Sequence, residues 1–203
     1  MTRGGPVEFY FDFSSPFSFL ASHRIDGIAQ KHGRTVTWRP ILLGAVFKEI
    51  GTVPNASQDR KWPYCLRDLK RFARLHNVPF VLPEPFPFSG LQASRAFYWI
   101  EAEDPAKARA FAHAIFDAAF TQGRDVSLPG TVAAIAQEKL GIPPETILAA
   151  VADEHIKERL RIETETASAK GVFGAPFFFV DGEPFWGNDR VAEVDAWLQS
   201  GGW

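Results

Sequence analysis

Three short stretches of this chain hold residue types that can do chemistry. Ser14-Ser15-Pro16 ends a run of aromatic residues and opens an amphipathic pattern, Gly174-Ala175-Pro176 stands ahead of a second apolar run, and Asn188-Asp189 follows Phe185-Trp186-Gly187. Serine followed by proline reads as a helix N-cap with proline in the first turn. Ser15 would then stand where N–H groups lack intrahelical partners and the positive end of the helix dipole points outward, a place that stabilises an anion and favours thiol ionisation. A residue ahead of a strand-leading proline can offer its backbone N–H and C=O to an extended peptide. A helix start beside Asp189 suits an amino-acid zwitterion, with its carboxylate on N–H groups and its ammonium on Asp189. Each stretch also has a plainer reading. Ser15 and Asn188-Asp189 can be ordinary caps and Pro176 an ordinary strand start, and Ser15 taken alone is better explained as a cap.

The elements that must position these residues follow from hydrophobic period. Val7 to Phe13 reads as a strand, with Val7, Phe9, Phe11 and Phe13 on one face and Tyr10 on the other. Phe17, Leu20, Ala21, Ile25 and Ile28 have helical spacing that ends near Gly33, and Thr35 to Trp38 reads as a second strand. A β-α-β opening predicts two parallel strands with a right-handed crossover. Pro40 to Arg60, with Gly44, Gly51 and Pro54, reads as loop; Trp62 to His76 reads as helix, and residues 79 to 87 as an extended, proline-rich connection. Ser89 to about Ala169 is helical throughout, broken at Gly123, Pro129-Gly130 and Gly141. Strand signal returns over residues 176 to 187, with Asp181-Gly182 as a hairpin turn and Pro184 marking an edge strand. Asn188 or Asp189 is expected to cap a last helix, with Gly201 beyond its end.

The order β-α-β, helices, β-β-α is the layout of an α/β thioredoxin-like fold with an inserted all-helical subdomain. The expected division is residues 1–60 and 170–203 for the thioredoxin-like part and 61–169 for the insertion. Sites of such sheets lie at strand C-terminal ends, where helix N-termini point. Redox members carry Cys-x-x-Cys at the first of these helices; here the four residues are Ser15-Pro16-Phe17-Ser18. The single cysteine, Cys65, lies in a helical pattern and reads as a small packed side chain, so dithiol exchange is excluded and any anion at Ser15 must come from a ligand. In this fold the position of Pro176 holds a cis-proline facing the active-site helix.

Bulk properties narrow the classes further. The 203 residues are 46% hydrophobic, enough for a sizeable core, and the net charge of -2 argues against nucleic acid or anionic membranes as partners. No apolar stretch is long enough for a transmembrane helix, the N-terminus lacks a signal-peptide pattern, and one cysteine suits a reducing compartment, so a cytoplasmic protein is expected. No metal site is expected.

FYFDFSSPFSFLASHRI taken with GVFGAPFFFVDGEPFWGNDR resembles the 2-hydroxychromene-2-carboxylate isomerase family, which is related to kappa-class glutathione transferases in the DsbA-like branch of the thioredoxin fold. The resemblance implies glutathione as cofactor. It implies that Ser15 hydrogen-bonds the glutathione sulfur, that Ala175 ahead of cis-Pro176 pairs with the cysteinyl backbone, and that Asn188 and Asp189 receive the γ-glutamyl end. Asn55 is carried over as a loop residue at the site. Lys48 and Lys61 are candidates for the carboxylate of an acidic substrate, and Trp186 is expected beside the site. Ser14 adds a second hydroxyl, but strand alternation puts it on a different side, so the sulfur is assigned to Ser15. Phe19 stands where the family often has tyrosine. The implied reaction interconverts 2-hydroxychromene-2-carboxylate and trans-o-hydroxybenzylidenepyruvate, in a homodimer. A kappa-class-like glutathione transferase is the alternative, and a non-catalytic thioredoxin-like binding module is the reading from another class.

Overall fold

A computed structural model describes residues 4–203. Strands β1 (Val7–Phe11), β2 (Val36–Pro40), β3 (Phe177–Val180) and β4 (Glu183–Trp186) form one mixed sheet in the order β2-β1-β3-β4. β1 runs parallel to β2 and antiparallel to β3, with Phe9 opposite both Trp38 and Phe178. The two chain ends therefore meet in the middle of the sheet. Their meeting is an aromatic contact: the Phe9 and Phe178 rings stack at 5.3 Å, and Trp38 stands edge-on to Phe9 at 5.0 Å. Burying each such ring is worth about 1.5–3 kcal/mol. β4 is the edge strand, and Pro184 lies in it as its missing N–H requires.

Helix α1 (Pro16–Lys31) links β1 to β2 and is capped by Ser15, whose hydroxyl accepts from the Ser18 N–H. Helices α2 (Leu43–Ile50) and α3 (Trp62–Leu75) follow, then α4 (Leu91–Glu103), α5 (Pro105–Phe120), α6 (Pro129–Leu140), α7 (Pro144–Ala152) and α8 (Glu154–Ala169). The last helix, α9 (Val191–Ser200), is tied to the end of α1 through Asp195, which accepts from Lys31 and pairs with His32. One apolar cluster runs without a break from Phe9 and Phe11 through Phe116 and Phe120 on α5 to Ile135 on α6. A smaller cluster on the opposite sheet face gathers Tyr10, Phe177 and Phe179.

The structure departs from the sequence reading in three places near the sheet's C-terminal edge. β1 stops at Phe11 rather than Phe13, because the Asp12 carboxylate turns back to bind the following loop. Residues 43–50, expected as loop, form α2, which ends at Gly51 in the left-handed region at φ 70°. The expected cap of the last helix at Asn188 or Asp189 does not form: Asn188–Arg190 make a separate 3-10 turn, and α9 starts after Arg190 without a side-chain cap.

Candidate active site

At the head of α1 lies a cavity of about 690 Å³, bounded by α2, the 52–62 segment, the 86–91 segment and residues 173–175. Ser15 sits on its floor. Its hydroxyl accepts from the Ser18 N–H at 3.2 Å and donates to the Ala175 carbonyl at 3.1 Å. The Ala175–Pro176 peptide bond is cis, and the Pro176 carbonyl accepts from the Gly187 N–H, which joins this loop to the end of the hairpin. Ala175 lines the cavity, whereas Pro176 does not.

Asp12 was not among the residues singled out from the sequence, yet it organises the floor. It is buried, and its Oδ1 accepts from both the Ser14 N–H and the Ser14 hydroxyl at 2.7 Å. Its Oδ2 accepts from the Leu43 N–H at 2.8 Å, so one carboxylate holds the Ser14-Ser15 loop and the first turn of α2. Burial pushes the Asp12 carboxyl above its ordinary value, and the three donors oppose that only in part. The local signal for Asp12 is its spacing: an aspartate commonly accepts from the N–H two residues on.

The walls are mostly apolar. Phe47, Trp62 and Phe86 face the cavity, with the Trp62 and Phe86 rings stacked at 5.1 Å. Trp186 covers the Ala175 side, edge-on to Phe173 at 4.8 Å, and a side chain at Gly174 would run into its indole. Asn55 and Lys61 both line the cavity, and Lys61 is the one lysine or arginine to do so among the described residues. Lys48 does not line it. The last turn of α2 leaves Lys48 exposed beside Glu49.

The Asn188-Asp189 pair divides its work. Asn188 is 2% exposed, and Arg24 of α1 donates to both its backbone carbonyl and its Oδ1. Its Nδ2 has no partner within the protein. Asp189 is open to solvent, 3.5 Å from Arg190. Neither residue lines the main cavity; both follow Trp186, which does. Cys65 stands apart on α3, and burial pushes its thiol up, away from nucleophile character. Among the described residues there is no cluster of histidine, cysteine and carboxylate side chains able to hold a metal ion, and no helix long and apolar enough to cross a membrane.

This arrangement can hold an anion at the head of α1 and an extended backbone along Ala175, beside an apolar chamber with one cation. Residues 6–199 match the family model of the DSBA-like thioredoxin domain. The chain is 35% identical over 192 residues to the 2-hydroxychromene-2-carboxylate isomerase of Pseudomonas putida, covering 94% of this chain and 92% of that protein. A solved structure of a 2-hydroxychromene-2-carboxylate isomerase superposes with a TM-score of 0.86 at 33% identity, covering 96% of this chain and 94% of the other. Human glutathione S-transferase kappa 1 is 27% identical, over 91% of this chain and 87% of that protein.

Proposed function

The chain belongs to the DSBA-like thioredoxin domain family, on the branch of the 2-hydroxychromene-2-carboxylate isomerases, and we propose that it interconverts 2-hydroxychromene-2-carboxylate and trans-o-hydroxybenzylidenepyruvate with glutathione as cofactor. Ser15 carries this reading. A hydroxyl occupies the head of α1, where redox members of the fold place a cysteine, and it faces a cavity of about 690 Å³.

The residues present fit the cofactor: a helix head for an anion, the Ala175 backbone for an extended peptide, and Asp189 open to solvent for an ammonium. When bound, glutathione supplies a thiolate that adds reversibly to the conjugated enone, making the carbon–carbon double bond single long enough to rotate. The chain's own part is electrostatic and positional. Ser15 now gives its proton to the Ala175 carbonyl. A ligand amide N–H that took that carbonyl would free the Ser15 hydroxyl to donate to the sulfur. The dipole of α1 adds to the same effect, and each unit of lowered thiol pKa corresponds to about 1.4 kcal/mol. Lys61 receives the substrate carboxylate, Asn55 a neighbouring oxygen, and the aromatic walls exclude water. Asp189 and the N–H groups heading the 188–190 turn hold the γ-glutamyl end, while Asn188 fixes that turn to α1 through Arg24. A homodimer in the cytoplasm completes the reading.

A kappa-class-like transferase is the second reading, favoured by the match to the human kappa enzyme. Incubating the chromene acid with purified protein and substoichiometric glutathione separates the two. Isomerisation without glutathione consumption is expected. Accumulation of a conjugate would favour the transferase, and absence of both would overturn the assignment.

A further inference from the structure

We propose that Ser14, held by Asp12, is the acceptor for the substrate's phenolic hydroxyl and so selects an o-hydroxyaryl ligand over one that lacks it. This rests on the isomerase reading and extends it to the second half of the cavity.

The two neighbouring serines spend their protons differently. Ser15 donates to a neutral carbonyl that a ligand amide can take over. Ser14 donates to the Asp12 carboxylate at 2.7 Å, and a charged acceptor makes the stronger bond. That bond is not free to break. Asp12 is buried, and its donors are the Ser14 N–H, the Ser14 hydroxyl and the Leu43 N–H. Removing one leaves a buried carboxylate short of a partner. Ser14 therefore has no proton to offer a ligand. It lines the cavity with oxygen lone pairs, and a hydroxyl already donating to a carboxylate is polarised toward being a better acceptor.

Position assigns the ligand atom. Ser15 turns toward Ala175, the side covered by Trp186. Ser14 is pinned toward α2 by the shared carboxylate, and Gly90 closes against that carboxylate so tightly that a Cβ there would lie 2.8 Å from Oδ1. Phe47, Phe88 and Leu91 are among the apolar side chains that line the same cavity. An acceptor beside such side chains loses its water when a ligand enters and regains a partner only if the ligand brings an O–H. The phenol of the open substrate is such a group; an aryl C–H is not.

The test is calorimetric titration of the full chain with trans-o-hydroxybenzylidenepyruvate and, separately, with trans-benzylidenepyruvate, its analogue without the phenol. The wild type is expected to bind the first about fivefold to tenfold more tightly, the value of one net hydrogen bond. Ser14→Ala should erase that preference by weakening the first ligand alone, Ser14→Thr should restore it, and glutathione affinity should be the same in all three. Equal affinities in the wild type, a comparison that needs no variant, would overturn the assignment, as would a preference that survives in Ser14→Ala. Binding of neither acid by a protein that still binds glutathione would overturn the isomerase reading and this assignment with it.

Discussion

The hydroxyl of Ser15 lies 3.1 Å from the carbonyl oxygen of Ala175, a residue 160 positions later in the chain. The bond joins the head of the first helix to the loop that opens the third strand, and both groups are ones an extended thiol peptide would use. Without ligand each satisfies the other, so neither is an unpaired polar group on the cavity floor. Replacing Ser15 with alanine removes the proposed donor for the sulfur and the cap for the Ser18 N–H together. The expected result is a bound thiol with a raised pKa and turnover down about tenfold to a hundredfold, the range of a hydrogen bond to a charged group. Titrating the thiolate ultraviolet absorbance in the enzyme–glutathione mixture measures the first effect. The lost cap adds a destabilisation of about 1 kcal/mol, visible in denaturant unfolding.

Asp12→Asn tests whether the floor needs two acceptor oxygens. Both carboxylate oxygens accept from backbone N–H groups, those of Ser14 and Leu43. An asparagine offers one oxygen, and its NH2 must then face an N–H. Despite removing a buried charge, the substitution should destabilise the protein by about 1–3 kcal/mol. A melting temperature equal to or above that of the wild type would show that the carboxylate is not needed as a double acceptor.

Gly174→Ala would push its new methyl group into the Trp186 indole. Trp186 is 53% exposed, so it can move outward at small cost, and global stability should change by less than about 1 kcal/mol. The cover over Ala175 would be lost instead. Weaker glutathione binding at nearly unchanged melting temperature is the expected pair of results.

The acid limb of stability has an identifiable contributor in Asp26. Burial alone would raise its carboxyl, but His113, Trp38 and Arg109 together hold it below its ordinary value of 3.8. A carboxyl depressed in the folded state contributes stability that is fully present above its unfolded value and disappears as pH falls through the folded one. Asp26→Asn should therefore lower the melting temperature by a constant amount at neutral pH. The gap to the wild type should close as pH drops below about 3.8. A gap that persists there would assign the effect to packing rather than to charge.

Local pattern was enough for what local chemistry decides. The Ser15-Pro16 start of α1, the Asp181-Gly182 hairpin and the edge position of Pro184 each rest on residues within a few positions of one another. Helix α2 was missed because its support comes from far away. Leu42 offers no capping side chain, Gly44 weakens the pattern, and the carboxylate that satisfies the Leu43 N–H comes from Asp12, 31 positions earlier. For Asp12, spacing signals only the local bond to the Ser14 N–H; the bond to Leu43 is the part sequence does not show. Asn188 reads from its neighbours as a helix cap, whereas in the fold it is buried and accepts from Arg24, 164 positions away. Lys48 and Lys61 have the same chemistry on paper, and only the pose of α2 separates them.

The central place of β1, paired with β2 on one side and with β3 on the other, bears on how the protein is made. A ribosome releases the Ser15 hydroxyl well before Ala175 and the strand beside it, which come 160 positions later. Until then one edge of β1 lacks its neighbour, and the cavity lacks the residues 173–175 that line it. A nascent chain halted before β3 would display the first helix and its serine without the Ala175 carbonyl to which that hydroxyl donates, so the floor assembles only once both distant segments have been made.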